Sequence, residues 1–114
     1  MKKFEVIDIA GDIGVKAFGN NMKECFAHAG LALYEIMSGS IGTDNSEEIV
    51  IDLYSNDYEE LLVDYLNELI YNFDADGFTG SEIQILEIND SRLKAVVKGT
   101  YIDEEDKTGT PITA

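Results

Sequence analysis

Two aspartates and two glycines interrupt an apolar stretch near the start of the chain, in the segment Asp8-Ile9-Ala10-Gly11-Asp12-Ile13-Gly14. Glycine adopts positive φ without steric cost, so Gly11 and Gly14 predict a tight turn or bulge from which the Asp12 carboxylate projects. Such a geometry suits a metal-ligating or otherwise functional carboxylate. An aspartate in a hairpin turn also accepts hydrogen bonds from its own backbone, so a purely structural turn is the alternative.

The single cysteine and the single histidine offer little further chemistry. Cys25 cannot form an intramolecular disulfide or a cysteine zinc site, and we expect it to pack as a small hydrophobe. His28 cannot form a multi-histidine metal site, and no nucleophile motif lies near it, so we expect an exposed or half-exposed helix residue.

A second acidic run, Asp74-Ala75-Asp76-Gly77, has the spacing of a calcium loop at its start. The EF-hand pattern requires a bidentate glutamate further along, and Ile85 occupies that position. We therefore interpret the run as a helix end with a C-cap at Gly77 and solvated acids.

Length and hydropathy indicate one domain that does not cross a membrane. The 114 residues fit a typical domain of about 100 to 150 residues. No segment approaches the roughly 18 uncharged apolar residues of a membrane span, and no signal-peptide pattern follows the N-terminus. The sequence therefore predicts a cytoplasmic protein.

The charge balance argues against direct binding of nucleic acid. Twenty-three acidic residues against eight basic ones give a formal charge of −15, which repels phosphate backbones. Arg92, Lys94 and Lys98 alternate with apolar residues, as on the solvent face of a strand. A basic protein partner or a cation is the more compatible ligand.

Residues 3–9 and 13–18 alternate like two short strands around the glycine turn. Asn21 followed by Glu24 has the spacing of a capping box and predicts a helix start. Apolar residues then recur at three- and four-residue steps as far as the segment Ser38-Gly39-Ser40-Ile41-Gly42, where a glycine can form a left-handed cap. The sequence therefore predicts a first amphipathic helix of about four turns.

A second helix is predicted from Tyr58 to Phe73, after a capping box of Asp57 with Glu60 or of Asn56 with Glu59. Its apolar stripe is wide, so we expect it to be the central helix of the domain. Three further strands are predicted, at residues 49–53, 81–89 and 91–102. In the last of them, Leu93, Ala95 and Val97 should face inward.

The predicted order is therefore β-β-α-β-α-β-β. Two long amphipathic helices must cover their apolar stripes with a sheet face, which favours a two-layer α+β fold with a mostly antiparallel sheet. The chain contains no phosphate loop, no nucleophile elbow and no multi-ligand metal motif.

Three segments in this order resemble the archease family. The first is the strand with the Asp-Ile-Gly turn, the second is the end of the first helix, and the third is the second helix. They are Gly11–Gly19 (GDIGVKAFG), Ala29–Met37 (AGLALYEIM) and Glu60–Tyr71 (ELLVDYLNELIY).

The resemblance implies an accessory protein rather than an enzyme. Archeases assist the GTP-dependent RNA ligase that joins 3′-phosphate to 5′-hydroxyl ends in tRNA splicing and RNA repair. They promote guanylylation of the ligase and its multiple turnover, acting as chaperone-like activators. The family is also linked to a tRNA methyltransferase that modifies cytosine.

The resemblance also implies a divalent metal ion, calcium or similar, bound by Asp12 together with acidic groups near the C-terminus. Oxygen ligands of this kind suit such a cation. The chain departs from the family in two places. Ile9-Ala10-Gly11 stands where the family often has His-Thr-Ala, and the family's last strand with its acidic ligand has no counterpart before Ala114. We therefore expect residues 1–114 to form a single archease-like domain without that strand.

Two other classes of protein are compatible with the residues themselves. An acidic structural or inhibitory interaction module would bind no cation and would expose an apolar patch near the helices. A metal-dependent hydrolase would use Asp8 and Asp12 as paired ligands, although two acids without supporting ligands make a poor catalytic site. The sequence does not specify the oligomeric state.

Overall fold

The computed structural model describes residues 2–9, 12–39, 41–103, 105 and 109, excepting the side chains at positions 8, 9, 12 and 13. Seven elements follow in the predicted order and confirm the α+β class. They are β1 (Phe4–Ile9), β2 (Asp12–Ala17), α1 (Met22–Ser38), β3 (Glu47–Tyr54), α2 (Tyr58–Asp76), β4 (Phe78–Ile88) and β5 (Arg92–Tyr101).

Both helices begin and end at residues that the sequence indicates. Each N-cap side chain accepts a hydrogen bond from the third helical amide, Asn21 from Glu24 at 2.9 Å and Asp57 from Glu60 at 2.8 Å. Each helix ends at a left-handed glycine, Gly39 with φ 88° and Gly77 with φ 75°. The cap at Gly77 confirms that the run from Asp74 to Gly77 is a helix end.

The five strands form two antiparallel sheets rather than the single sheet that the sequence suggests. The larger sheet has the order β3-β5-β4, and β1 pairs with β2 in a separate ribbon. β5 is therefore the central strand, and its residues Leu93, Ala95 and Val97 are buried as predicted. β4 begins at Phe78, earlier than predicted, because this fully buried residue already pairs with Tyr101 of β5.

Helix α1 packs closely on β4, and small residues permit the approach. A Cβ at Gly30 would lie 2.5 Å from Ile83 Cδ1, and one at Gly80 would lie 2.5 Å from Cε2 of Tyr34. Such distances are shorter than van der Waals contact, so a side chain larger than hydrogen would push α1 away from the sheet.

The expectation that α2 is the central helix is wrong, because α1 contacts both sheets. α2 packs chiefly on the larger sheet through Leu61, Tyr65 and Leu69. Its outer residues remain exposed, Val63 to 47% and Tyr71 to 63%. The width of the apolar stripe therefore reflects partial exposure rather than cover on two sides.

Candidate functional site

The structure places Asp12 at the first position of β2, opposite Ile9 at the end of β1. Residues 10 and 11 and the Asp12 side chain lie outside the described part of the chain. Both interpretations of the turn, a cation ligand and a self-bonded aspartate, therefore stay predictions. What the structure establishes is that the backbone of Asp12 is held in an antiparallel ladder.

Asp8 occupies a different rung of the same ladder. It lies opposite Ile13, whereas Asp12 lies opposite Ile9. The use of Asp8 and Asp12 as paired ligands of a hydrolase stays a prediction, since the structure describes only the backbone of both residues.

The described residues do not by themselves provide a complete cation site. No group of three or more His, Cys, Asp or Glu side chains among them could hold a metal ion. A calcium ion takes six to eight oxygen ligands, and one aspartate supplies at most two of them. Asp12 can therefore act only as one member of a ligand set whose other members lie elsewhere.

The open end of the hairpin is anchored to α1 by the single histidine. Phe18 donates its amide to the Lys3 carbonyl at 2.9 Å, which closes the ladder beyond β2. The Phe18 carbonyl in turn accepts a hydrogen bond from His28 Nδ1. A carbonyl only accepts, so Nδ1 carries the proton. His28 is half-exposed, as predicted, and it holds the hairpin that carries Asp12.

The basic residues of β5 lie between acidic residues of both neighbouring strands. Each of the two lysines faces an acid on either side in the ladder, Lys94 between Asp52 and Glu87 and Lys98 between Glu48 and Glu82. Cross-strand pairs of opposite charge stabilise a sheet and neutralise one another. This arrangement confirms a solvated strand face and gives no basic surface for nucleic acid.

Arg92 is held in the same way. Its guanidinium donates to both Asp52 carboxylate oxygens, at 3.3 and 3.2 Å, and lies 3.5 Å from Glu87 Oε2. The hydrogen bonds that Arg92 donates to the Asp52 carboxylate raise the pKa of its guanidinium. The carbon at the centre of that group also lies 5.2 Å from the ring centroid of Tyr54. The Arg92 side chain therefore stabilises contacts between strands of the larger sheet, and we do not assign it to ligand binding.

Helix α2 carries much of the negative charge. Its 19 residues include six acids and no basic residue. Asp64 accepts a hydrogen bond from Ser55 Oγ at 2.6 Å, whereas Glu59 lies exposed in the first turn. None of the helices, over the residues that are described, is long and apolar enough to cross a membrane.

Comparison with known proteins identifies the family. A family model described as "Archease protein family (MTH1598/TM1083)" matches residues 4–114 of this chain. The chain belongs to the archease family. The match includes the hairpin that bears Asp12 and both helices, which is where the sequence resemblance lies.

Curated archeases are similar over almost the whole of this chain. "Protein archease" of Methanosarcina acetivorans is 34% identical over 120 residues, covering 99% of this chain and 81% of the relative. "Protein archease" of Methanothermobacter thermautotrophicus is 32% identical over 109 residues, covering 96% of this chain and 77% of the relative.

A solved structure supports the archease fold directly. The solution structure of Methanobacterium thermoautotrophicum protein 1598 superposes with a TM-score of 0.78 at 30% identity, and the alignment covers 100% of this chain and 84% of the other. The same two-helix α+β architecture therefore holds the Asp-Ile-Gly segment of this archease in place.

Proposed function

We propose that this archease is a cytoplasmic accessory protein, and not itself an enzyme, for the GTP-dependent RNA ligase that joins 3′-phosphate and 5′-hydroxyl ends. It promotes guanylylation of the ligase and its multiple turnover in tRNA splicing and RNA repair. The observation that carries this proposal is the family match over residues 4–114, which includes the Asp12 hairpin.

The charge of the chain supports a protein partner over an RNA partner. The formal charge of −15 repels RNA, and the two lysines of β5 lie opposite acids on both neighbouring strands. Opposite charge also accelerates association with a basic protein. A tRNA methyltransferase is a second partner of the same kind that the family suggests.

In this proposal Asp12 contributes one ligand to a divalent cation, calcium or similar, and the remaining ligands come from groups outside the described residues. A bound cation would supply positive charge next to the hairpin, where the ligase docks. The Asp12 carboxylate would supply an oxygen ligand to this cation, and the β1–β2 ladder fixes the backbone of Asp12.

An acidic interaction module that needs no cation is the second candidate. The observation that favours it is apolar exposure beside the helices, with Val15 39% exposed, Met22 43% and Val63 47%. Such a module would bind its partner through this surface alone. Removal of divalent cations would then leave its effect unchanged.

The test is a multiple-turnover joining assay with RNA strands that end in 3′-phosphate and 5′-hydroxyl groups. Ligase from the same source is limiting, and this archease is added or omitted. We expect more product per ligase molecule when it is present, and loss of that gain when a chelator removes the cation. Unchanged turnover would remove the proposal, whereas a gain that survives the chelator would favour the cation-free module.

A further inference from the structure

An apolar groove lies between the β1–β2 hairpin and the two helices, with a cavity of about 360 Å³. Its floor is one side of α1, formed by Met22, Cys25, Ala29 and Leu33. These positions follow the three- and four-residue spacing of one helix face and span twelve residues, or about 16 Å from first to last. The groove is therefore about three helical turns long.

The two walls of the apolar groove come from different elements. Val15 and Ala17 of β2 form one wall, and Leu62 and Leu66 of α2 form the other. Among the described residues, the lining contains no charged side chain, and its only heteroatoms in side chains are the sulfurs of Met22 and Cys25, which form weak hydrogen bonds. A small polar ligand would find no side-chain hydrogen-bond partner of ordinary strength there.

Part of this apolar lining is open to solvent. Val15 is 39% exposed and Met22 is 43% exposed, and Val6, which pairs with Val15 across the ladder, is 45% exposed. Contiguous exposed apolar side chains of this kind are typical of interaction surfaces. A ligand that covered them would remove their apolar area from water at about 25 cal/mol per Å².

The charge beside the groove points to the nature of the occupant. Glu59 precedes Leu62 by three residues on α2, so it lies next to the wall, and Glu60 follows in the same exposed first turn. The helix has no basic residue to offset them. At the hairpin end, Lys2 is paired with Glu5 at 2.9 Å. The charge beside the α2 wall is therefore negative, whereas the hairpin end also carries Lys16, which lies opposite Glu5 in the ladder.

We infer that the apolar groove binds an amphipathic segment of the partner protein, with apolar side chains at helical spacing and lysine or arginine beside them. Such a segment inserts its apolar face and places its cations next to Glu59. A second copy of this chain is less favoured, because two acidic surfaces would face each other. The inference rests on the proposed function and specifies where the ligase docks.

The test measures the affinity of purified ligase for the full chain by titration calorimetry. Met22→Glu introduces a charge into the groove at the first position of α1, where an acid also suits the helix dipole, so the fold should be retained. Val15→Glu does the same in β2. Val50→Glu is the matched control, since Val50 is an exposed strand valine (59%) on β3, away from the groove. Circular dichroism and thermal unfolding verify each fold.

We expect Met22→Glu and Val15→Glu each to weaken ligase binding by more than about tenfold, and Val50→Glu to leave it within about twofold. Alkylation of Cys25 by N-ethylmaleimide, followed by the intact mass of this chain, gives a second readout. Cys25 is its only cysteine, so bound ligase should slow the single modification.

The outcomes separate this inference from the proposed function. If both groove variants bind the ligase with wild-type affinity and bound ligase does not slow the alkylation of Cys25, the inference that the ligase binds in the groove is wrong. This holds whether or not the turnover of the ligase rises. Ligase that binds in the groove without any gain in turnover would remove the proposed function and leave the groove standing. A dimer in sedimentation that Met22→Glu converts to a monomer would replace the partner segment with a second copy. Absence of any binding would remove both.

Discussion

The Tyr65 hydroxyl donates a hydrogen bond to the Phe26 carbonyl oxygen at 3.0 Å and thereby connects α2 to α1. Tyr65 is fully buried, and a Cβ at Gly30 would overlap its hydroxyl oxygen. The two helices that it connects form the floor and one wall of the apolar groove. This contact therefore helps to set the spacing of the groove.

Tyr65→Phe should lower the free energy of unfolding by about 0.5 to 1.5 kcal/mol, because it removes a buried hydrogen bond while the Phe26 carbonyl keeps the bond that it accepts within α1. Tyr34→Phe is the matched comparison. The Tyr34 hydroxyl is equally buried but has no hydrogen-bond partner in the described part of the structure. Its removal should be neutral or stabilising. Urea denaturation of both variants measures the difference, and equal losses would contradict the assigned roles.

Alkaline pH should destabilise the fold through the same two tyrosines. Burial raises the pKa of both phenols above the usual value near 10. Below that pH the phenols are protonated in both the folded and the unfolded chain. Above it the unfolded chain loses protons that the folded chain keeps, so stability falls by up to about 1.4 kcal/mol per pH unit for each group.

Urea denaturation between pH 8 and pH 11.5 measures this slope. Tyr34→Phe and Tyr65→Phe should each flatten it relative to wild type, and the double variant should flatten it further. A slope that is identical in wild type and double variant would show that other groups govern the alkaline transition.

Gly99→Ala should destabilise the larger sheet by about 1 to 3 kcal/mol or more. Gly99 lies on the central strand β5 opposite Gly80, and an added Cβ would overlap the Thr79 carbonyl oxygen. Backbone in a paired strand cannot move aside as a side chain can. Gly42→Ala is the control, because a Cβ there meets nothing within 4 Å. Thermal unfolding compares the two, and similar midpoints would contradict this packing.

The local elements could be predicted because their signals are local. The N-caps at Asn21 and Asp57 and the glycine caps at Gly39 and Gly77 each act within one helical turn. The buried alternation of β5 likewise follows from residues two apart. Such signals define the elements and their order, and for this reason the predicted α+β fold is confirmed.

The assembly of those elements depends on contacts between distant residues. The hydrogen bond from Tyr65 to Phe26 spans 39 residues, and the division into two sheets follows from the packing of the hairpin on α1. The role of His28 was missed because a lone histidine on a helix carries no signal of its own. For Asp12, the residue spacing left a metal ligand and a structural turn as alternatives, and the family resemblance favoured the ligand.

Calcium should bind this archease through Asp12. We expect Asp12→Asn, which keeps the size of the side chain and removes its charge, to weaken calcium binding by more than about tenfold in titration calorimetry. Asp8→Asn is the control on the adjacent rung and should have little effect. At calcium concentrations 100 times the Kd, wild type should gain about 2.7 kcal/mol of stability. Equal calcium affinity in wild type and Asp12→Asn would exclude Asp12 as a ligand.

The most direct test of the accessory role is the rate of GMP transfer from GTP to the RNA ligase, measured in a single turnover with radiolabelled GTP. Wild-type archease should raise this rate, Asp12→Ala should abolish the increase, and Asp8→Ala should retain most of it. A rate that wild type leaves unchanged would contradict the central claim. An increase that Asp12→Ala retains in full would contradict only the role of that carboxylate.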